Sequence, residues 1–192
     1  PLLRLARITD RWDELPLDPL TALVDAQQDG AAHKLTELAT GWQKVDRPYQ
    51  AADCLERVLV IEPKNDAAFE ALEVFYRSTQ EWPVLIDLIG RRAVQVDGDK
   101  ERAELFREMA VIYERELHDD AGALDAYQEA DRLERNHPEA VAGVARPAVR
   151  VSGIPEDEAL AALERSATVL GDPKERARQL TREAELAKLT SW

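Results

Sequence analysis

Residues 35–42 read Leu35-Thr36-Glu37-Leu38-Ala39-Thr40-Gly41-Trp42, and the same apolar spacing returns as Phe69-x-x-Leu72-Glu73-x-x-Tyr76, Phe106-x-x-Met109-Ala110-x-x-Tyr113 and Val141-x-x-Val144-Ala145. Each stretch places apolar groups at i, i+3 or i+4, and i+7, which is one face of an α-helix. The register residues Ala39, Glu73, Ala110 and Ala145 lie 34, 37 and 35 positions apart. A second helical stripe follows each first one. Its marks are Ala51, Leu55 and Val58; Leu85, Ile89 and Ala93; Ala123, Tyr127 and Ala130; and Ala159, Leu163 and Ala167. Its lead positions recur after 34, 38 and 36 residues. Two independent marks with nearly one period indicate stacked helix pairs.

The punctuation agrees. Asp46-Arg47-Pro48, Glu62-Pro63-Lys64-Asn65, Gln80-Glu81-Trp82-Pro83, Asp97-Gly98-Asp99, His118-Asp119-Asp120, Asn136-His137-Pro138 and Gly171-Asp172-Pro173 all read as turns or helix starts. Pro63, Pro138 and Pro173 suit helix ends or first turns, where a missing N–H costs little. Pairs should therefore be joined near 46–50, 78–83, 117–121 and 151–156. Small residues such as Ala39, Ala51, Ala110 and Ala123 would let paired helices approach, with Ala110 facing Ala123 within one pair. Leu55, Phe69 and Tyr113 would fill the space between pairs.

This pattern resembles the tetratricopeptide repeat family. The best segment is 32–65, with Leu35, Leu38, Trp42, Ala51, Leu55 and Pro63 in place; the resemblance runs over roughly residues 32–190. It implies an all-α, right-handed α-α superhelix of four to five antiparallel helix pairs. Glu73 is a poor fit at its register position, and Pro147 would interrupt the first helix of the last repeat. Spacings above 34 would need longer turns. These departures leave open whether the chain follows this family or its half-a-TPR relatives.

Residues 1–31 align less simply. Leu2, Leu3, Leu5 and Ile8 could line one helix; Pro16 and Pro19 then interrupt, and Leu20–Gln28 could form another. Trp12 sits 70 positions before Trp82 in a similar context, so the segment is read as a degenerate leading repeat ahead of a repeat domain at 32–192. At the far end, 174–190 reads as a first helix without its partner. Leu180, Ala184, Leu186 and Leu189 are its apolar residues, Glu183 takes its expected core position, and Trp192 follows. It would be either a cap or the start of further repeats.

Composition bounds the function. Of 192 residues, 25 are basic and 38 acidic, a net charge of −13. Residues 1–48 carry eight acids and six bases, so the repeat region holds most of the negative charge. Such a surface repels nucleic-acid phosphate and favours basic partners. Arg146 and Arg150 could still form a local basic strip. No run approaches the roughly 20 apolar residues of a membrane span. The single cysteine, Cys54, allows no intrachain disulfide and suits a reducing cytoplasm.

No P-loop, dinucleotide-binding glycine motif, nucleophile elbow or zinc-binding helix motif occurs. His33, His118 and His137 lie far apart without metal-ligand spacing and read as solvated residues. Cys54 reads as a small buried thiol. Glu156-Asp157-Glu158 could be paired acid–base carboxylates, but acids in a helix's first turn are the simpler reading. Trp42 falls on a core stripe; Trp12 and Trp82 could plug a helix pair or anchor a partner. The chain is expected to be no enzyme and to need no cofactor or metal. Its function would be a protein–protein interaction scaffold; the alternative is self-association through the solenoid ends.

In the family, ligand contacts come from fixed exposed positions on first helices. The resemblance carries these over to His33, Thr36, Thr40, Gln43 and Lys44; to Glu70, Val74, Arg77 and Ser78; to Glu104, Arg107, Val111, Glu114 and Arg115; and to Glu139, Arg146 and Arg150. The Lys/Asn clamp that holds chaperone C-terminal carboxylates has no match here.

Overall fold

The computed structural model describes residues 2–25, 30–148, 150–151 and 154–171, all of them helical or in connections between helices. In chain order the helices are α1 (Leu2–Thr9), α2 (Leu17–Asp25), α3 (Ala31–Lys44), α4 (Pro48–Ile61), α5 (Asp66–Thr79), α6 (Trp82–Gln95), α7 (Asp99–Ile112), α8 (Asp120–Leu133), α9 (Pro138–Ala148) and α10 (Glu156–Leu170); a π-helical turn, Tyr113–Leu117, extends α7. The fold is all-α and built of helix pairs. The chain divides into two compact units, Pro1–Leu88 and Ile89–Trp192.

The turns after α1, α3, α5 and the π-helical turn repeat one device. Asp10, Asp46, Gln80 and His118 each take a left-handed conformation just after a first helix, with φ of 54°, 57°, 59° and 53°. These positions recur at nearly the repeat period, and the left-handed residue closes the helix by satisfying its last carbonyls. At Gln80 the backbone N–H bonds Arg77 O and Tyr76 O. After Asp46, Gln80 and His118 the next helix starts within two residues, with Pro48, Trp82 or Asp120 in its first position, whereas α2 starts seven residues after Asp10. Side chains cap some starts: Asn65 Oδ1 accepts from Ala68 N at 3.0 Å, and Asp119 Oδ1 accepts from Gly122 N at 3.0 Å.

In the first unit α4 packs on α3 and α5, and α2 and α1 both reach α3. Leu35, Leu38, Ala39 and Trp42 of α3 bury against Ala51, Leu55 and Val58 of α4. Trp12 also buries. A Cβ on Gly41 would come within 2.5 Å of Trp12 Cε3, so the absence of a side chain there admits the indole. Trp12 thus plugs the approach of the leading segment to α3. Trp82 is only half-buried.

In the second unit α8 lies between α7 and α9, and α10 covers α9. Ala110, Ala123, Ala126 and Tyr127 form one buried cluster, as the expected Ala110–Ala123 facing requires. The Tyr127 ring is fully buried and lies directly on Gly143 of α9.

Some expectations change. α2 begins at Leu17 rather than Leu20 and carries Pro19 in its first turn, where no intrahelical N–H donor is needed, so Pro19 does not interrupt it. Pro147 lies inside the last turn of α9, buried, and the helix ends one residue later. The longer third repeat does not lengthen a loop; its extra residues prolong the first helix into the π-helical turn. Glu73 is tolerated because its carboxylate stays partly exposed and takes Arg77 Nε at 3.0 Å. Leu3 is half-buried, but Leu2, Leu5 and Ile8 are exposed, so α1 buries chiefly Ala6. The expected helix at 174–190, with Leu180, Glu183, Leu186 and Leu189, lies outside the described residues.

Two substitutions test the packing. Gly143→Ala gains about 1 kcal/mol of helix propensity but drives a methyl into the immobile Tyr127 ring. Ala110→Leu overfills the adjoining cluster. Each should cost about 1–3 kcal/mol net, read as a lower urea midpoint with unchanged slope.

Candidate functional site

The expected contact residues of the first unit are solvent-facing. His33, Thr36, Thr40, Gln43 and Lys44 on α3 are exposed, as are Glu70, Val74, Arg77 and Ser78 on α5. Val74 leaves 68% of its surface open. Several are already engaged locally. Thr36 and Thr40 hydroxyls donate to Ala32 O and Thr36 O at 3.0 and 3.1 Å. Lys44 Nζ lies 3.2 Å from Asp10 Oδ1, and Arg77 holds Glu73.

The second unit differs. Glu104, Arg115, Glu139 and Arg150 are exposed, whereas Val111 is half-buried against the Ala110–Tyr127 cluster. Arg107 keeps only 7% of its surface exposed. Its guanidinium holds Glu134 Oε2 at 2.9 Å, which ties the second half of α7 to the C-cap of α8. Arg107 therefore packs rather than projects.

Glu114, Arg146 and Arg150 come together. Arg146 donates from Nε and Nη2 to the two Glu114 oxygens at 3.1 and 3.0 Å, and from Nη2 to Tyr127 Oη at 3.2 Å. Arg150 Nη2 bonds Glu114 Oε1 at 3.0 Å and Asp120 Oδ1 at 2.7 Å. Two guanidiniums thus share two carboxylates, and the Arg146–Glu114 pair has the forked geometry of a strong charge-assisted contact. The two arginines are not an open basic strip.

Electrostatics follow from that geometry. Burial pulls the Glu114 carboxyl upward, but hydrogen bonds and charge from Arg146 and Arg150 outweigh it and hold it below the usual carboxylate range. The bond to Glu114 raises Arg146 against the opposing effect of burial. Burial pushes the Tyr127 phenol up; Arg146 opposes this, and Glu114 adds to it.

The network has one sequence signal, its spacing. Arg146 and Arg150 lie 32 and 36 residues from Glu114. Arg165 bonds Asp131 across 34, and Lys44 meets Asp10 across 34. Opposite charges one repeat apart meet because equivalent positions stack. The roles of Asp120 and of the Tyr127 hydroxyl had no such signal, since Tyr127 reads as an apolar core residue.

The other candidates are plain. Cys54 is buried. His33 and His118 are exposed; His137 is instead half-buried, with Nδ1 enclosed and lacking a hydrogen-bond partner. Glu156, Asp157 and Glu158 open α10. Trp42 is buried, and its Nε1 donates to Thr21 Oγ1 at 3.3 Å. Among the described residues, no group of three or more histidine, cysteine, aspartate or glutamate side chains could hold a metal. No helix of the described residues is long and apolar enough to cross a membrane.

No protein-family profile and no curated protein sequence matches the chain. Solved structures of MamA resemble it at low identity. One shares 16% identity over 87% of each chain, with a TM-score of 0.47. A second shares 15% over 98% of each chain at 0.42, and the structure described as MamA MSR-1 C2 shares 16% over 90% of this chain and 92% of that one at 0.46.

The network predicts a pH dependence. A carboxyl held low in the fold contributes stability above its ordinary value near 4.5, and that contribution is lost as pH falls through the lower, folded value. Glu114→Gln should cost about 1–3 kcal/mol at pH 7. The difference from the parent should narrow on acidification below about pH 4. Urea midpoints at pH 7, 5 and 3.5 check both.

Proposed function

We propose that the chain is a non-catalytic scaffold of tetratricopeptide-repeat type that binds a peptide or protein surface on the exposed faces of its first helices. The observation that carries this is the division of α3 and α5: one side is fully buried while the other keeps Thr36, Thr40, Gln43, Glu70 and Val74 in solvent. A rigid helix face with an isolated apolar anchor such as Val74 suits docking of a segment. In the second unit Glu104, Glu139 and the outer edges of Arg146 and Arg150 are the corresponding groups. The charge of −13 favours a basic protein over nucleic acid. Residues 1–31 act as a degenerate leading repeat, which the shared left-handed turn at Asp10 supports. A cytoplasmic setting fits the lone buried thiol.

A second reading is self-association through an end of the array. The exposed apolar row Leu2, Leu5 and Ile8 on α1 favours it, since soluble monomers seldom leave large apolar patches open.

The two readings separate experimentally. A photo-crosslinking residue at position 70 should yield heterologous adducts in cells that express the protein, and adding Val74→Glu should abolish them. Val74→Glu should also leave stability within about 0.5 kcal/mol, as for exposed sites generally. Sedimentation equilibrium should give the monomer mass of 21.6 kDa. A mass that rises with concentration and falls back with Leu5→Glu would favour self-association instead.

A further inference from the structure

A cleft of about 500 Å³ opens in the first unit, lined by Asp18, Thr21, Ala22, Trp42, Tyr49, Gln50 and Asp53. These residues come from α2, the end of α3 and the start of α4, so the cleft is separate from the exposed first-helix positions. Its chemistry is one-sided. Two carboxylates and two aromatic rings line it, with no basic side chain.

The walls are held in place. Trp42 is 7% exposed, with its N–H donated to Thr21, so the indole is a fixed wall rather than a mobile flap. Tyr49 is 61% exposed. Its ring is nonetheless braced edge-on by Phe75 at 5.2 Å between centroids, with an interplanar angle of 89°. Asp53 follows Tyr49 by four residues, one turn along the same face of α4. Among the described residues no cation pairs with Asp18, and Asp53 has only a loose contact with Arg57 at 3.7 Å.

We infer that this cleft is a receptor for an arginine side chain presented by a basic segment of a partner protein. The inference rests on the scaffold reading and adds to it a site and a partner chemistry. A guanidinium stacks on aromatic faces and bonds carboxylates through its fork, and it is less strongly hydrated than an ammonium. The exposed Tyr49 ring offers a stacking face and Asp18 and Asp53 offer carboxylates around one recess, which the largely buried Trp42 also lines. The arginine would replace water around Asp18 and Asp53 and displace the weak Arg57 contact. Binding would weaken with salt, as for any exposed charge pairing.

Calorimetry with the full chain tests this. The probes are blocked Gly/Ser decapeptides carrying two arginines, the same peptide with citrulline at both positions, and the same with lysine. The arginine peptide should bind, with the citrulline peptide weaker by about tenfold or more, about 1.4 kcal/mol, and the lysine peptide in between. Asp18→Asn with Asp53→Asn should weaken the arginine peptide about tenfold, and Tyr49→Ala should weaken it several-fold. Glu70→Ala with Val74→Ala should leave it within about twofold, about 0.4 kcal/mol. Unfolding midpoints verify that each variant is folded. Equal binding of the citrulline peptide, or unchanged binding by the Asp18/Asp53 variant, overturns the site. Loss only in the Glu70/Val74 variant overturns it too, while leaving the scaffold reading standing. Absence of arginine-peptide binding overturns the cleft alone, because crosslinking at position 70 decides the scaffold reading separately.

Discussion

A pair of helices has no interior of its own. An apolar stripe is wider than one partner helix can cover, so within each unit the side of a pair left open is closed by a further helix. In the second unit α8 is closed by α7 on one side and α9 on the other, and in the first unit α4 lies between α3 and α5. Small residues set how near the helices come. Ala110 and Ala123 meet without side-chain bulk, and Gly143 admits the whole Tyr127 ring. Close approach gains dispersion contact at every atom, but it leaves no slack for an added methyl.

That closeness determines where charge can go. With the interior filled, long polar side chains reach along the stack to the equivalent position of the next pair. Arg165 meets Asp131, Lys44 meets Asp10, and Arg146 and Arg150 meet Glu114. The exposed pairs add little to stability. The Glu114 cluster is different, because Glu114 is largely covered and the Tyr127 hydroxyl roots the network in the core. There the charges fix the register of α9 against α8 and the π-helical turn.

The same geometry separates two kinds of surface. First-helix faces in the first unit present short polar groups and Val74, which suits an extended segment laid across them. The cleft by Trp42 and Tyr49 is a recess with acidic and aromatic walls, which suits one side chain entering end-on. A partner could use one without the other, and the two are distinguished by different residues.

The sequence by itself determined the helices, the pairing and the turns. Those features depend on neighbours within about one turn of chain: apolar spacing in 35–42 and its echoes, the polar and glycine turn segments between helices, and proline or an acid at the next start. It also placed the Ala110–Ala123 contact and the burial of Cys54, since both follow from the stripe. Tertiary structure alone decided which polar residues stayed open. Arg107 belongs to an exposed position by register yet is enclosed, because Glu134 meets it there. Glu114, Arg146 and Arg150, each readable as a free contact, are partners because stacking brings residues 32 and 36 positions apart within 3.0 Å. The cleft has the same origin. Asp18, Trp42 and Tyr49 share no local motif, and only the packing of α2 against α3 beside α4 brings them around one recess.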